Sequence, residues 1–410
     1  MSFYIRVNST TEKVRIFDLP QEQKLFGGRG RVSQVLYSEM DPVADPLSSK
    51  NVIVFTIGML AKAPLSCFDA VYIGTKSPLS GKLSFTHFMS RAARMLAEMG
   101  VYYIVFEGIP TENKQYVLVI ERGKAALVLL DELIGTAQVK TLGAFQLQSV
   151  LRQVYGKNSC VISYGSERII HSPVSSLLVS GASEGSLKNI MSNGVSEVFA
   201  SKGIKAIVVK GIAQGGRDNR THKTSSACHE LESLLMCSRI YASLKNTPYG
   251  HMNLCRQCMN GEWLYTENSF EALCTDSGIF PVEELKNANS ICAVFDKTNF
   301  VQKIADLAFD DNLYTTYIQA QQRFEDTNHI LAAFENMGFC AKALHTAQYE
   351  RVLSLLQILL ENYYPKNWSD QQMLDLGIQT IAKEEAFNSW GISSFAEQEQ
   401  NTMQLLSVRR

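Results

Sequence analysis

One stretch, residues 89–107, contains both kinds of secondary structure that this chain uses. It reads Met89-Ser-Arg-Ala-Ala-Arg-Met-Leu-Ala-Glu-Met-Gly100-Val-Tyr-Tyr-Ile-Val-Phe-Glu107. Met89–Glu98 has apolar residues at three- and four-residue steps and is followed by Gly100, a typical helix C-cap. Tyr102–Glu107 is a β-branched and aromatic run that predicts a strand. A helix followed at once by a strand indicates an α+β architecture.

Further strand-like runs lie on both sides of this stretch, up to residue 210. Each is short and is bounded by Gly, Pro or charged residues. The predicted strands are Phe3–Asn8, Lys13–Leu19, Val52–Ile57, Val71–Gly74, Tyr116–Glu121, Ala125–Leu130, Cys160–Tyr164 and Ala206–Lys210. The first two predict a hairpin, and Leu142–Val154 predicts another helix.

The second half of the chain has helical spacing and almost no strand signals. The predicted helices are Cys228–Lys245, Val282–Phe295, Phe300–Phe309, Tyr314–Gly338, Ala347–Asn362 and Asp370–Ser389. We therefore predict three parts: an α+β domain over residues 1–212, a polar, glycine-bearing linker over 213–226, and an α-helical region over 227–410.

Composition excludes several classes of protein. Apolar residues make up 46% of the 410 residues, which is enough for a sizeable core. The 39 Lys and Arg residues balance 40 Asp and Glu residues, which argues against a nucleic-acid partner. No apolar run is long enough to span a membrane, and the first residues lack the layout of a signal peptide. We expect a cytoplasmic protein.

Nine cysteines are present, and Cys255-Arg-Gln-Cys258 is the pair with metal-binding spacing. Two thiolates at this spacing can bind zinc or iron, but a complete site needs two more ligands. The candidates are Cys237, Glu262, Cys274 and Cys340, with His251 next in line. The residues alone are compatible both with a metal site and with thiols that bind no metal. A redox role would need a thioredoxin-like context, which is absent here.

Two glycine-bearing motifs precede predicted elements in the first half. Gly27-Gly-Arg-Gly30 opens a helix-like segment, Arg31–Glu39, and suits either a phosphate contact or a tight turn. Arg29 and Arg31 would add charge-assisted contacts to a phosphate. Thr75-Lys-Ser-Pro-Leu-Ser-Gly81 is typical of a loop between elements.

The order of these motifs resembles that of the aldehyde:ferredoxin oxidoreductase family, which contains tungsten or molybdenum. The resemblance covers the first half almost continuously and the helical half more thinly. Its most specific pieces are Thr75–Gly81 and Ser201-Lys-Gly-Ile-Lys-Ala-Ile207. The pieces in the helical half are Asn253–Cys258, Glu335-Asn-Met-Gly-Phe-Cys340 and Asn367–Leu374. The resemblance implies a sheet-rich N-terminal domain and a shortened helical region.

The family's enzymes hold the metal between two pyranopterin dithiolenes, beside a four-iron cluster. They oxidise aldehydes to carboxylic acids and pass electrons to ferredoxin, and dimers occur among them. For this chain the resemblance implies cofactor contacts at Gly28, Arg29, Gly30, Thr75, Lys76, Ser77 and Gly338. It implies cluster ligands at Cys255, Cys258 and Cys340, with Glu262 where the family has a further cysteine. The same four residues would also suit zinc.

Several departures from the family pattern argue against a working pterin site. His87–Ser90 replaces an Asn-Ser-Gly-Gly loop, and Met191–Gly194 replaces a Gly-Arg-Gly-Gly loop. Larger side chains therefore occupy positions at which the family's glycines let the backbone approach a phosphate. Ala293–Thr298 replaces a pterin-binding Asp-x-x-Gly-Leu-Asp element, so that both of its end carboxylates and its glycine are lost.

Three hypotheses follow. The first is a non-catalytic structural or regulatory partner, of itself or of a full-length member of the family. The second is an active aldehyde oxidoreductase with altered cofactor contacts, which donates electrons to ferredoxin. The third is a metal-binding or electron-transfer module that uses Cys255, Cys258 and Cys340. We rank them in that order, and no catalytic residue is assigned.

Overall fold

The structure is a computed structural model of the 410-residue chain. It describes residues 2–63, 65, 68–112, 114–135, 144–164, 176–180, 187–191, 194–211, 222–236, 252–254, 261–263, 329–339 and 349–407.

The first half contains a six-stranded mixed sheet, sheet A. Its strands lie in the order β2-β1-β6-β3-β4-β5, with β1 and β6 parallel and the other pairs antiparallel. The strands are β1 (Phe3–Asn8), β2 (Lys13–Asp18), β3 (Ile53–Ile57), β4 (Ala70–Lys76), β5 (Leu83–Met89) and β6 (Val101–Glu107). The predicted hairpin is confirmed, because Phe3 pairs with Asp18 and Asn8 with Lys13.

A second mixed sheet, sheet B, has the order β13-β14-β11-β10-β9-β12-β7-β8. Strands β12 and β7 are parallel, and the other neighbouring strands whose pairing is described are antiparallel. The strands are β7 (Tyr116–Glu121), β8 (Lys124–Leu129), β9 (Cys160–Tyr164), β10 (Ser176–Ser180), β11 (Leu187–Met191), β12 (Ile204–Val209), β13 (Met252–Leu254) and β14 (Gly261–Trp263).

The largest apolar core contains side chains from both sheets and from helix α2 (Arg91–Met99). Alternate residues of β3, such as Ile53 and Phe55, belong to this core, whereas Val54 belongs to a separate cluster with helix α1 (Gly28–Glu39). Apolar side chains on both faces explain why β3 and β4 read as continuous hydrophobic runs.

The remaining described helices lie in both halves. They are α3 (Leu130–Ile134), α4 (Ala144–Tyr155), α5 (Val195–Ser201), α6 (His222–Met236), α7 (residues 329–337), α8 (Tyr349–Tyr363) and α9 (Asp370–Ser407). Helices α6, α7, α8 and α9 share an apolar cluster that includes Met59, Leu60 and Phe68 of the first half. The α+β fold followed by a mainly helical region is therefore confirmed.

Several predicted boundaries differ from the structure. Met89 ends strand β5 and does not begin a helix, because Ser90 caps α2 by accepting a hydrogen bond from the Ala92 amide. Helix α6 begins at His222, inside the range predicted as a linker, and residues 212–221 lie outside the described residues. Strands β5, β10, β11, β13 and β14 were not predicted from the sequence, and the last two lie in the region predicted to be helical.

The predicted helices Val282–Phe295 and Phe300–Phe309 lie outside the described residues. Among the helices that are described, none is long and apolar enough to cross a membrane.

Candidate functional site

The glycine segment Gly27–Gly30 forms the first turn of helix α1, which begins at Gly28, earlier than predicted. Gly27 is extended and occupies the N-cap position without a side-chain cap. Gly28 has a φ of +46°, a left-handed conformation that favours glycine. Helix α1 therefore begins within the glycine segment and not at Arg31, where it was predicted to begin.

The space beside these glycines is filled by residues from the end of α7. A Cβ at Gly28 would overlap the carbonyl oxygen of Glu335, and a Cβ at Gly30 would overlap the side-chain amide of Asn336. Gly58, after strand β3, approaches Gly338 equally closely. Because Gly28, Gly30 and Gly58 have no side chain, the backbone at the end of α7 can pass directly against them.

Backbone hydrogen bonds fix this crossing. The Met59 amide donates to the Asn336 carbonyl at 3.1 Å, and the Leu60 amide donates to the Met337 carbonyl at 3.0 Å. The buried Asn336 side chain also donates through Nδ2 to the Thr380 hydroxyl of α9 at 2.9 Å. Three distant parts of the sequence thus meet at the glycine segment.

Gly338 has a local structural explanation. Its φ is +85°, and its amide donates to the Glu335 carbonyl at 3.2 Å. The Phe339 amide donates to the Phe334 carbonyl at 3.0 Å. These two bonds form a Schellman motif, in which a left-handed glycine ends a helix. The helix C-cap alone accounts for a glycine at residue 338.

Arg29 forms a buried ion cluster with two carboxylates. Its Nε and Nη2 donate to the two oxygens of Glu384 at 2.8 and 2.7 Å, and its Nη1 donates to Glu335 at 2.9 Å. Burial disfavours the charged guanidinium, but the two carboxylates outweigh this and raise the pKa of Arg29. The Ser33 hydroxyl donates to the same Glu384 carboxylate at 2.7 Å.

Arg31 has a different environment, although it is equally buried. Its guanidinium donates to the backbone carbonyls of Gln23 and Phe26 and lies over the Tyr103 ring, 4.6 Å from the ring centroid. Burial lowers its pKa to about 10. Arg31 is thus held by neutral groups, whereas Arg29 is held by carboxylates.

Thr75 and Lys76 end strand β4 and bind the loop that follows α1, and Ser77 comes next in the chain. The Thr75 hydroxyl donates to the Val52 carbonyl at 2.8 Å, and Lys76 Nζ donates to the Ala44 carbonyl at 2.9 Å. The Ser77 carbonyl accepts a hydrogen bond from the Gly81 amide at 2.8 Å. Lys76 is buried, and burial lowers its pKa.

The two sets of predicted cofactor residues lie at opposite ends of α1. Gly28 lies against the Tyr72 ring and Val32 lies against Gly74, whereas Lys76 contacts the loop that follows the helix. A helix of 12 residues spans about 18 Å. The structure therefore brings Gly28, Arg29, Gly30 and Gly338 together, but not Thr75–Ser77 with them.

The segment His87–Ser90 is packed into the fold. The His87 ring stacks on the Tyr72 ring with centroids 5.2 Å apart, and Met89 is fully buried. The Ser90 hydroxyl donates to the Ser180 carbonyl at 2.7 Å, which connects the two sheets. Side chains at residues 87–90 therefore serve the packing of sheet A.

The side chains of the predicted metal ligands lie outside the part of the chain that the structure describes. Cys255, Cys258 and Cys340 lie outside them, and only the backbone of Glu262, in β14, is described. Within the described part of the chain no group of three or more His, Cys, Asp or Glu residues is arranged to hold a metal ion. Cys160 and Cys228 are buried thiols.

Sequence reasoning missed Glu384, Asn336 and Ser33, which complete the cluster around the glycines. Glu384 and Glu385 are adjacent on a helical pattern, and no local signal distinguishes the first from the second. Their different surroundings follow from the docking of α9 on α1.

Comparisons with known proteins agree with this fold. The sequence model of the aldehyde ferredoxin oxidoreductase N-terminal domain matches residues 4–211. The tungsten-containing aldehyde ferredoxin oxidoreductase of Pyrococcus furiosus is 23% identical over 310 residues, which are 71% of this chain and 45% of that protein. The protein of the same description from Thermococcus kodakarensis is 30% identical over 118 residues, which are 28% of this chain and 19% of that protein.

A solved structure, the active site complex BamBC of benzoyl coenzyme A reductase in complex with 1,5-dienoyl-CoA, is 21% identical. The matched region covers 57% of this chain and 34% of that chain, with a TM-score of 0.48. The chain spans less than half the length of the curated relatives that it matches. The family match covers half of the chain and includes every strand of sheet A and most of sheet B. The chain belongs to the aldehyde ferredoxin oxidoreductase family.

Proposed function

We propose that this oxidoreductase-like protein lacks a working pterin site and acts as a non-catalytic structural or regulatory partner. The observation on which the proposal rests is the closure of the glycine segment. Gly28 and Gly30 are in contact with Glu335 and Asn336, which leaves no room for a phosphate at their backbone. A cofactor could reach these glycines only if α7 moved away from α1.

The charge at the same place also disfavours a phosphate. Both carboxylates that bind Arg29 are about nine-tenths buried, so the cluster contains one cation and two anions in a poorly solvated position. An entering phosphate would meet repulsion from Glu335 and Glu384 and would have to displace hydrogen bonds that are already made. The residues present do not fit an anionic pterin phosphate.

The replaced loop supports the same conclusion. A ligand that approached the backbone of residues 87–90 would meet the buried side chains of Met89 and Ser90, in place of the family's glycines. Thr75, Lys76 and Ser77 remain candidate contacts. Their polar side-chain atoms, however, already bind the residue 42–52 loop or their own turn.

The partner that we propose is a protein of the same family, either a second copy of this chain or a full-length member. The support is the retained N-terminal domain, which matches the family model from residue 4 to residue 211. Co-expression with a full-length family member, followed by size-exclusion chromatography, tests this: we expect co-elution, or a dimer of this chain alone. A monomer under both conditions would contradict the partner role.

Active catalysis is the second candidate, and the printed names of the relatives favour it. Four curated relatives are tungsten-containing aldehyde ferredoxin oxidoreductases. An active chain would oxidise aldehydes and reduce ferredoxin or a viologen dye. In protein made with metal and cofactor supplied, we expect no aldehyde-dependent viologen reduction. Reduction at the rate of a full-length enzyme would overturn the non-catalytic proposal.

The cysteines define a third role that is compatible with the first. We propose that Cys255, Cys258 and Cys340, with Glu262, bind a four-iron cluster or zinc. The support is their spacing and the match of their segments to the family pattern. A chain that kept this site and lost the pterin would bind metal without oxidising aldehydes.

A further inference from the structure

The carboxylate of Glu384 is held as a bound ligand would be held. Arg29 donates to it through Nε and Nη2 in a parallel pair of hydrogen bonds, and the Ser33 hydroxyl adds a third donor. Arg29 and Ser33 lie one turn apart on α1, so one rigid helix positions all three donors. This fork geometry matches a planar carboxylate.

Helix α9 is attached to the rest of the fold at points that do not involve Glu384. Phe387 is buried in the cluster between α1 and sheet A, and Gly377 is in close backbone contact with His329. Thr380 binds Asn336, and the Asn388 side chain accepts a hydrogen bond from the Leu83 amide at 2.8 Å. The helix therefore has anchors on both sides of residue 384.

These anchors have a consequence for a variant in which Glu384 is shortened. Helix α9 would stay in place, and a space the size of a small carboxylic acid would open in front of Arg29 and Ser33. Arg29 Nε and Nη2 would lose their acceptor, while Nη1 keeps its bond to Glu335. The Ser33 hydroxyl would retain the Arg29 carbonyl, 2.9 Å away, as its other acceptor. Buried donors without an acceptor are costly. Such a space favours an anion that restores the lost hydrogen bonds.

We propose that Arg29 and Ser33 form a carboxylate receptor whose resident ligand is Glu384, and that a free carboxylate binds there once this side chain is removed. The receptor prefers a singly charged carboxylate to phosphate, because the Glu335 carboxylate already binds Arg29 Nη1. A dianion would add repulsion from Glu335 that a monoanion largely avoids. In the folded chain, α9 thus blocks anion binding at the start of α1.

Chemical rescue of Glu384→Ala by acetate tests the proposal. We expect this variant to have a lower thermal midpoint than the wild type, and acetate to restore at least half of the loss in a saturable way. Chloride at the same ionic strength should not restore it, and phosphate should restore less than acetate. The matched control is Glu384→Gln, which keeps the space filled and should gain no more from acetate than the wild type.

Two further variants make the result specific. Arg29→Met in the Glu384→Ala background should abolish the acetate effect, and Ser33→Ala in that background should weaken it. If Glu384→Ala does not fold in chloride, recovery of soluble protein on refolding in acetate against chloride gives the same comparison. Equal effects of acetate on wild type and Glu384→Ala, equal rescue by phosphate, or no rescue would each overturn the proposal.

Discussion

Gly30 lies so close to the side-chain amide of Asn336 that a single Cβ at residue 30 would overlap the amide. Gly30 is not among the residues with a positive φ, so the glycine is required by packing and not by backbone strain. The contact joins helix α1 of the first half to the end of α7 in the second. It is the most direct sign that the glycine segment is closed by the chain itself.

Gly30→Ala should therefore lower the free energy of unfolding by about 1–3 kcal/mol, the usual cost of overpacking a filled site. The measurement is urea unfolding of the two proteins. Asn336→Ala removes the overlapping amide, so Gly30→Ala should cost less in that background than in the wild type. Equal costs in the two backgrounds would show that residues 30 and 336 are not in contact.

Arg29→Met should destabilise the chain by about 3–5 kcal/mol, because it leaves Glu335 and Glu384 buried without their cation. The control is the triple variant with Glu335→Gln and Glu384→Gln, in which no uncompensated charge remains. We expect it to be more stable than Arg29→Met alone. If Arg29→Met unfolds at the same denaturant concentration as the wild type, the ion cluster does not form.

Lys202 should make stability depend on pH. It is fully buried, with its Nζ donating to the Ser48 carbonyl at 3.0 Å, and burial lowers its pKa from 10.5 to about 8, partly opposed by Glu107. Between pH 8 and pH 10.5 the unfolded chain binds more protons at this lysine than the folded chain does. The stability of the wild type should therefore rise with pH across this window, and the cost of burial should be complete below pH 8.

Lys202→Met isolates this effect from other groups that titrate in the same range. The difference in unfolding free energy, wild type minus variant, should increase by on the order of 2–3 kcal/mol from pH 8 to pH 10.5. Urea unfolding at several pH values in this window measures it. A difference that does not change with pH would mean that Lys202 titrates normally in the folded protein.

Cys258→Ser should reduce the iron and sulfide content, or the zinc content, of protein purified without oxygen. The reason is that a serine hydroxyl is a poor substitute for a thiolate ligand. Elemental analysis of the two proteins gives the answer, with Cys160→Ser as the control, because Cys160 is a buried core thiol beside Met95. Unchanged metal content in Cys258→Ser would exclude the proposed site.

Most strands of the first half were predictable because their apolar runs are dense and have clear ends, whereas β5, β10 and β11 were missed. Strand β5 was missed because Met89 continues the spacing of the apolar residues of α2 and hides the boundary at Ser90. The capping hydroxyl of Ser90 decides that boundary. Serine favours helix caps over helix interiors, so Ser90 was a local signal for the boundary that the apolar spacing outweighed in the prediction.

The candidate site was predictable only in part. Gly28, Arg29 and Gly30 were found from their pattern, and the structure places Gly28 against Glu335 and Gly30 against Asn336, in the helix that ends at Gly338. The side chains that surround them were not found, because Glu384 and Asn336 are brought to the glycines by tertiary packing alone. Gly338 shows a further ambiguity, since a helix C-cap and a ligand contact both favour glycine.

Because its glycine segment is closed by α7, this chain should contain no bound pterin. Tungsten, molybdenum and pterin content of protein purified under anaerobic conditions tests it most directly, in cells that supply both metals and the cofactor. We predict that neither metal and no pterin is present in amounts comparable to the protein. One tungsten or molybdenum per chain, together with pterin, would contradict the account.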